Sequence, residues 1–296
     1  MNLAKNISIF YMAIRPKTLG VTISPVLIGT TMAFSANKGH FVAASACLIS
    51  ALLIQIGTNL SNDYFDYVKG SDTDERLGPT RVTQSGLISP ERIFRISLYV
   101  FGLAILIGIY IVFRGGWPIF LVGIFSIASG ILYTGGPMPL GYIGLGDIFV
   151  FIFFGPVAVC GTFYVQALEL PPEVFIAGLG PGFLGMALLS VNNLRDEPTD
   201  KKSGKKTLAV RLGQGFARAE FIISIFLSII IPVFLAFYIN SHWFICISIL
   251  IVIPGYYAIC QILFAKNGVN LNKTLSITGK IILLYGLLFS LGWWVG

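Results

Sequence analysis

Long apolar runs recur along this chain with only short polar breaks between them, and that repetition leaves few folds open. The runs fall at roughly 19–35, 41–58, 93–113, 117–133, 147–165, 173–191, 219–239, 243–264 and 275–295. Each is close to the roughly 20 residues a helix needs to cross the hydrocarbon of a bilayer. There every backbone N–H and C=O must find its partner inside the segment, so helix is the economical choice. The expectation is an all-α, polytopic membrane protein with about nine transmembrane helices in one bundle, a single domain over residues 1–296. Of all residues 55% are hydrophobic and only 11% charged, which no soluble domain of this length needs. The segment ahead of the first run carries Lys5, Arg15 and Lys17 around ISIFYMAI. It reads as an interfacial lead-in. A cleaved signal is not expected, because Arg15 and Lys17 interrupt the apolar stretch and no small-residue cleavage site follows.

Charge orients the bundle. The net charge is +7, and 17 of the 20 Lys and Arg fall on the side that holds the N-terminus and the 59–92 loop. The opposite side receives only Lys38 and Arg114, and Lys280 lies within the last run. The basic side is therefore expected to be cytoplasmic, in the plasma (inner) membrane of the cell. The excess signals orientation and not nucleic acid, since no basic patch alternates with exposed aromatics. Loops on the far side are short, whereas the long ones, with almost all the chemistry, lie on the basic side. Cys47, Cys160, Cys246 and Cys260 sit inside apolar runs without a CxxC pair, so neither disulfides nor zinc are expected.

Two acidic stretches stand at the ends of apolar runs on that basic side. The first, NLSNDYFDYVKGSDTDERLGPTRVTQSGLISPE from Asn59 to Glu91, holds six of the chain's 13 acids. Asn62 and Asp66 are four apart and share a helix face; Asn59, Asp63 and Asp66 share an overlapping one. The second, NNLRDEPTDKKSGKKTLAVRLG from Asn192, repeats the pattern with Asn192, Asp196 and Asp200 at four-residue spacing. Oxygen donors of this kind suit Mg²⁺, which takes a few carboxylates, waters and a substrate's phosphates. Two such sites converging in a bundle would make a cage for a diphosphate. The Arg and Lys that follow each cluster would grip its oxygens, and Arg81, Lys206 and Arg211 are the candidates. GKKT at Gly204 is not a P-loop, because the glycine five residues earlier is missing and Lys206 stands where Ser or Thr is needed. The connection YTGGPMPLGYIGLGDIF contributes Tyr133 and Asp147. An acid opening an apolar span faces either a cavity or its own helix as a cap, and both readings stay open.

These residues resemble the UbiA superfamily of intramembrane aromatic prenyltransferases, whose pattern is NDxxDxxxD after the second helix and DxxxD after the sixth. Asn62, Asp63 and Asp66 match the first motif, and Asp196 and Asp200 the second. The last acid of the first motif falls on Gly70, and Asp72 stands two residues further on. The displaced form, with RLGPTRVTQSGLI and LYTGGPMPLGYIGLGD, is similar to the branch that acts on 1,4-dihydroxy-2-naphthoate in menaquinone biosynthesis. The resemblance implies a cavity open to the cytoplasm and to lipid. It also implies Mg²⁺ held by Asn62, Asp63, Asp66, Asp72, Asp196 and Asp200, and transfer of a polyprenyl group from its diphosphate to a dihydroxynaphthoate. AIRPKTL resembles the start of the family's first helix, so Arg15 or Lys17 is expected to hold the acceptor carboxylate, with Asp147 or Tyr133 orienting its hydroxyls. Phe149 to Phe154 are expected to line the prenyl groove. The alternatives are another acceptor such as 4-hydroxybenzoate or, in a different class, a membrane transporter.

Overall fold

The computed structural model describes residues 3–72, 77–265 and 268–296, all helix and connection. The side chain of Lys17 lies outside the described residues. A short helix α1 (Leu3–Ile14) leads into α2 (Pro16–Ser35), α3 (Phe41–Val68) and α4 (Pro90–Leu132). Then come α5 (Gly146–Ile152), a π-helical turn Phe153–Val157, α6 (Ala158–Ala167), α7 (Pro172–Lys202) and α8 (Leu208–Ile239). A 3₁₀ segment Trp243–Ile251 feeds α9 (Val252–Phe264), and α10 (Gly268–Val295) ends the fold.

Among the described residues eight helical segments are long and apolar enough to cross a membrane. One of them, α4, has 43 residues. Straight, it would be about 65 Å long, twice the hydrocarbon thickness. It does not run straight: Gly116 has φ 71° and ψ −160°, a conformation only glycine adopts without strain, and Pro118 removes another helical donor. The two arms are separate crossings, which accounts for the nine apolar runs.

α7 is the axis of the bundle. It packs against α8, α10, α2 and the π-helical turn, and its inner face is buried along most of its length. Contact with the turn and the end of α5 is backbone on backbone: a Cβ at Gly178 would stand 2.8 Å from the Pro156 Cα, and one at Gly182 2.8 Å from the Phe151 carbonyl oxygen. Small residues let helices approach this closely where lipid supplies no hydrophobic drive between them. Gly155 and Pro156 break the α5–α6 span there, and π-helical turns of this kind are frequent at functional sites.

Both acidic motifs are helical. Asn59 to Asp66 form the last turns of α3, and Asn192 to Asp200 those of α7, which continues through Pro198 to Lys202. The starts of α2, α4, α5, α8 and α10 are brought to the same end of the bundle by alternation of the crossings. α1 packs beside that end, with Ile9 and Ala13 in a small apolar cluster with Leu60, Val82, Ile88 and Ile93.

Candidate active site

A cavity of about 410 Å³ opens between α2, α3, α4, α5 and α7. At its polar end it collects Asn62, Asp66 and Asp72 from one motif and Asn192, Asp196 and Asp200 from the other. Arg15, Arg81, Tyr133 and Asp147 line it as well. Residues distant in sequence thus meet as the spacing predicts, with three departures.

Asp63 is buried but does not line the cavity; its Oδ2 accepts the Val82 amide at 3.3 Å. One residue is a 100° step on a helix, so with Asn62 and Asp66 aimed inward Asp63 points to the 77–89 loop. Lys206 and Arg211 are exposed and also outside the lining. The chain reverses at Gly204 (φ 75°), and Lys205 is the residue that turns in, its Nζ 3.7 Å from Asp200. Lys206 is engaged through its backbone: its amide donates to the Tyr142 carbonyl, and its carbonyl accepts Arg211 Nε at 3.1 Å.

Two arginines hold the carboxylates. Arg81 reaches Asp66 with Nη2 at 3.1 Å and Asp72 with Nε at 3.2 Å. All three side chains are buried, and Arg81 Nη1 has no hydrogen-bond partner. Arg195 forks onto Asp196, with Nε at 2.7 Å from Oδ1 and Nη2 at 2.6 Å from Oδ2, and also donates to Asn192 and Asn272. Tyr142 ties the motifs to each other. Its hydroxyl donates to Asp66 at 3.0 Å and meets Ser71 Oγ at 2.5 Å, and its ring lies under Lys69 and Lys205 at 5.0 and 5.3 Å. Burial, and then the Asp66 charge, push the Tyr142 phenol above its ordinary range, so it stays a donor. Burial also raises Tyr133, helped by Asp147, Asp66 and Asp200. Asn62 accepts from Thr134 at 2.8 Å.

Asp147 stands in the first turn of α5, yet the cap position is Leu145 and no side chain caps the helix. Its Oδ1 is buried without a partner on the cavity wall. The cavity reading of this acid is the one the geometry favours. Past the polar end the wall turns apolar, with Phe149, Val150, Phe153 and Phe154 from α5 and the π-helical turn.

Among the described residues no three Asp, Glu, His or Cys side chains converge closely enough to cage a metal alone. Carboxylates from two helices with amide oxygens beside them are nonetheless a hard-oxygen set. They fit Mg²⁺, which commonly takes one or two carboxylates and completes its shell with water and substrate phosphates.

Arg195, Lys205 and Asn272 were not singled out by sequence, and Tyr142 only as a residue of the Gly- and Pro-rich connection. Arg195 had a weak signal, as an arginine inside an acidic helical motif. Asn272 had none.

The chain is similar to known proteins. The 1,4-dihydroxy-2-naphthoate octaprenyltransferase of Escherichia coli is 37% identical over 292 residues, covering 95% of this chain and 93% of the relative. The protein of the same name from Mycobacterium tuberculosis is 40% identical over 204 residues, 69% of this chain and 70% of its own. A solved UbiA homolog from Archaeoglobus fulgidus superposes with a TM-score of 0.67 at 17% identity, covering 96% of this chain and 99% of its own. The same homolog bound to DMAPP and Mg²⁺ gives 0.65 at 16% identity, covering 95% and 99%. A family model described as the UbiA prenyltransferase family matches residues 22–294. The chain belongs to the UbiA prenyltransferase family.

Proposed function

We propose that this chain, as one unit over residues 1–296, transfers a polyprenyl group from its diphosphate to 1,4-dihydroxy-2-naphthoate, releasing diphosphate and CO₂ to give demethylmenaquinol. The observation that carries the reading is one cavity with a charged end and an apolar end: buried carboxylates and a partnerless Arg81 Nη1 at one, a phenylalanine wall at the other. The names of the relatives at 37% and 40% identity support this acceptor over a simpler phenol.

Asp66, Asp72, Asp196 and Asp200, with Asn62 and Asn192, would hold Mg²⁺. Bound there it would supply positive charge to the leaving diphosphate. Arg81 offers its free Nη1 to a diphosphate oxygen, and Lys205 adds a point charge beside Asp200. As the allylic C–O bond breaks, its electron pair leaves with the diphosphate and the allylic carbon becomes cationic. The faces of Phe149, Phe153 and Phe154 keep that carbon dry and meet its charge. Arg15, in the left-handed region at φ 56°, lines the cavity and is the candidate for the acceptor carboxylate. Asp147 Oδ1 is placed to take an acceptor hydroxyl proton, and neutral Tyr133 to donate to the ring oxygen. The ring then bonds to the allylic carbon, and the carboxylate departs as CO₂ with its bonding pair returned to the ring.

Purified protein with Mg²⁺ and a polyprenyl diphosphate should prenylate dihydroxynaphthoate with stoichiometric CO₂ release, and 4-hydroxybenzoate poorly. The reverse preference would move the chain to another acceptor. The active site is proposed to face the cytoplasm, from the bias of Lys and Arg. Single cysteines at Thr80 and Lys202, both exposed, should react with an impermeant maleimide only from the cytoplasmic side. Reaction of either from outside contradicts the orientation.

A further inference from the structure

The two acidic motifs are joined by more than the cavity between them. Arg195 is almost fully enclosed, at 1% exposure, and its Nη1 donates to Asn272 Oδ1 at 3.0 Å. Asn272, on the first turns of α10, passes the contact on, its Nδ2 donating to the Leu77 carbonyl at 2.8 Å. Leu77 lies four residues before Arg81, whose guanidinium holds Asp66 and Asp72. A chain of hydrogen bonds therefore runs from Asp196 through Arg195 and Asn272 to the segment that carries Arg81. Only one orientation of the amide is possible, since a guanidinium has no acceptor and a carbonyl no donor.

The far half of the 77–89 loop is fixed independently. Val82 and Ile88 are buried in the cluster with Leu60 and Ile93, and the Leu87 and Ile88 amides close onto the Val82 carbonyl. The near half, from Leu77 to Arg81, has no buried apolar residue. The Asn272 contact and the ion pairs of Arg81 tie it to the bundle, together with an interaction of Pro79.

We infer that Asn272 is a positioning residue for diphosphate binding: it holds the Leu77–Arg81 segment in its binding geometry and aligns it with the Arg195–Asp196 pair on α7. Without this link the segment samples other positions, and ligand binding must reorder it. A binding-competent state that is only partly populated weakens apparent affinity by that fraction while leaving the bound complex intact. The signature is a rise in KM without a fall in kcat, which a directly catalytic group would not give.

Two substitutions separate the halves of the bridge. Asn272→Asp keeps an acceptor for Arg195 but loses the donor to Leu77. Asn272→Leu has similar volume and loses both. In the substrate-free protein, Asn272→Asp should speed amide hydrogen exchange of the peptide spanning residues 77–82 by about tenfold, the loss of one partly buried hydrogen bond. Exchange in the core of α7 should not change. In turnover, KM for the prenyl diphosphate should rise about tenfold with kcat within about twofold. Asn272→Leu should lower kcat as well, because Arg195 loses a partner and Asp196 its alignment. If Asn272→Leu does not fold, Asn272→Asp decides. Unchanged exchange over 77–82, or a fall in kcat at constant KM in Asn272→Asp, overturns the inference. The kinetic half rests on the function proposed above. A wild-type protein that transfers no prenyl group would contradict that function, and the exchange measurement would still decide on the bridge.

Discussion

Asp196→Asn and Asp66→Asn should each lower kcat/KM by about three orders of magnitude, the several kcal/mol a bound cation contributes at about 1.36 kcal/mol per decade. The substitution keeps size and shape and removes one charge. Asp196 and Asp66 sit on different helices, α7 and α3, yet line the same cavity. Losing either would leave a Mg²⁺ held there short of a carboxylate and the leaving diphosphate uncompensated. If the defect is one of metal affinity, raising Mg²⁺ restores part of the rate in either single variant.

Arg81→Gln should be the most destabilising change near the site in the absence of ligand. Arg81, Asp66 and Asp72 are at most 7% exposed, and the guanidinium is the charge between the two carboxylates. Removing one partner of a buried ion pair costs about 3–5 kcal/mol, because the charge left behind stays buried. The expected reading is a lower Tm in detergent than wild type. Millimolar Mg²⁺ should raise the Tm of the variant more than that of wild type, since a cation then takes over the work of the missing guanidinium. An equal Mg²⁺ shift in both proteins would place the cation elsewhere. Arg81→Lys should keep more stability than Arg81→Gln but lose the two-pronged hold, as a point charge cannot span both carboxylates.

The membrane architecture was legible because hydrocarbon thickness imposes one length on every crossing, and even the break in α4 shows as RGG before Trp117. The four-residue spacings of Asn62 with Asp66 and of Asn192 with Asp196 and Asp200 were legible too, since helical period alone puts them on one face. That same period separates Asp63 from Asn62, but nothing local says which face of α3 looks inward. That is decided by α1 and by the loop whose Val82 amide Asp63 accepts. The basic residues after α7 were legible as a group but not individually. Whether Lys205 or Lys206 turns inward depends on a reversal at Gly204, and positive-inside counting is blind to direction. Arg195 was hidden for a related reason: it adjoins Asp196 in sequence, and its long side chain curls back to fork onto the neighbour. Asn272 lies 195 residues from its partner Leu77, beyond any local rule.

Carboxylates from α3 and α7 are proposed to serve one diphosphate at one site. The most direct test compares kcat/KM for Asp66→Asn, Asp196→Asn and the double variant at fixed Mg²⁺. Groups that act as a unit are strongly non-additive, so the double variant should be scarcely slower than the slower single one. Losses that multiply would mean two independent sites and contradict the shared site.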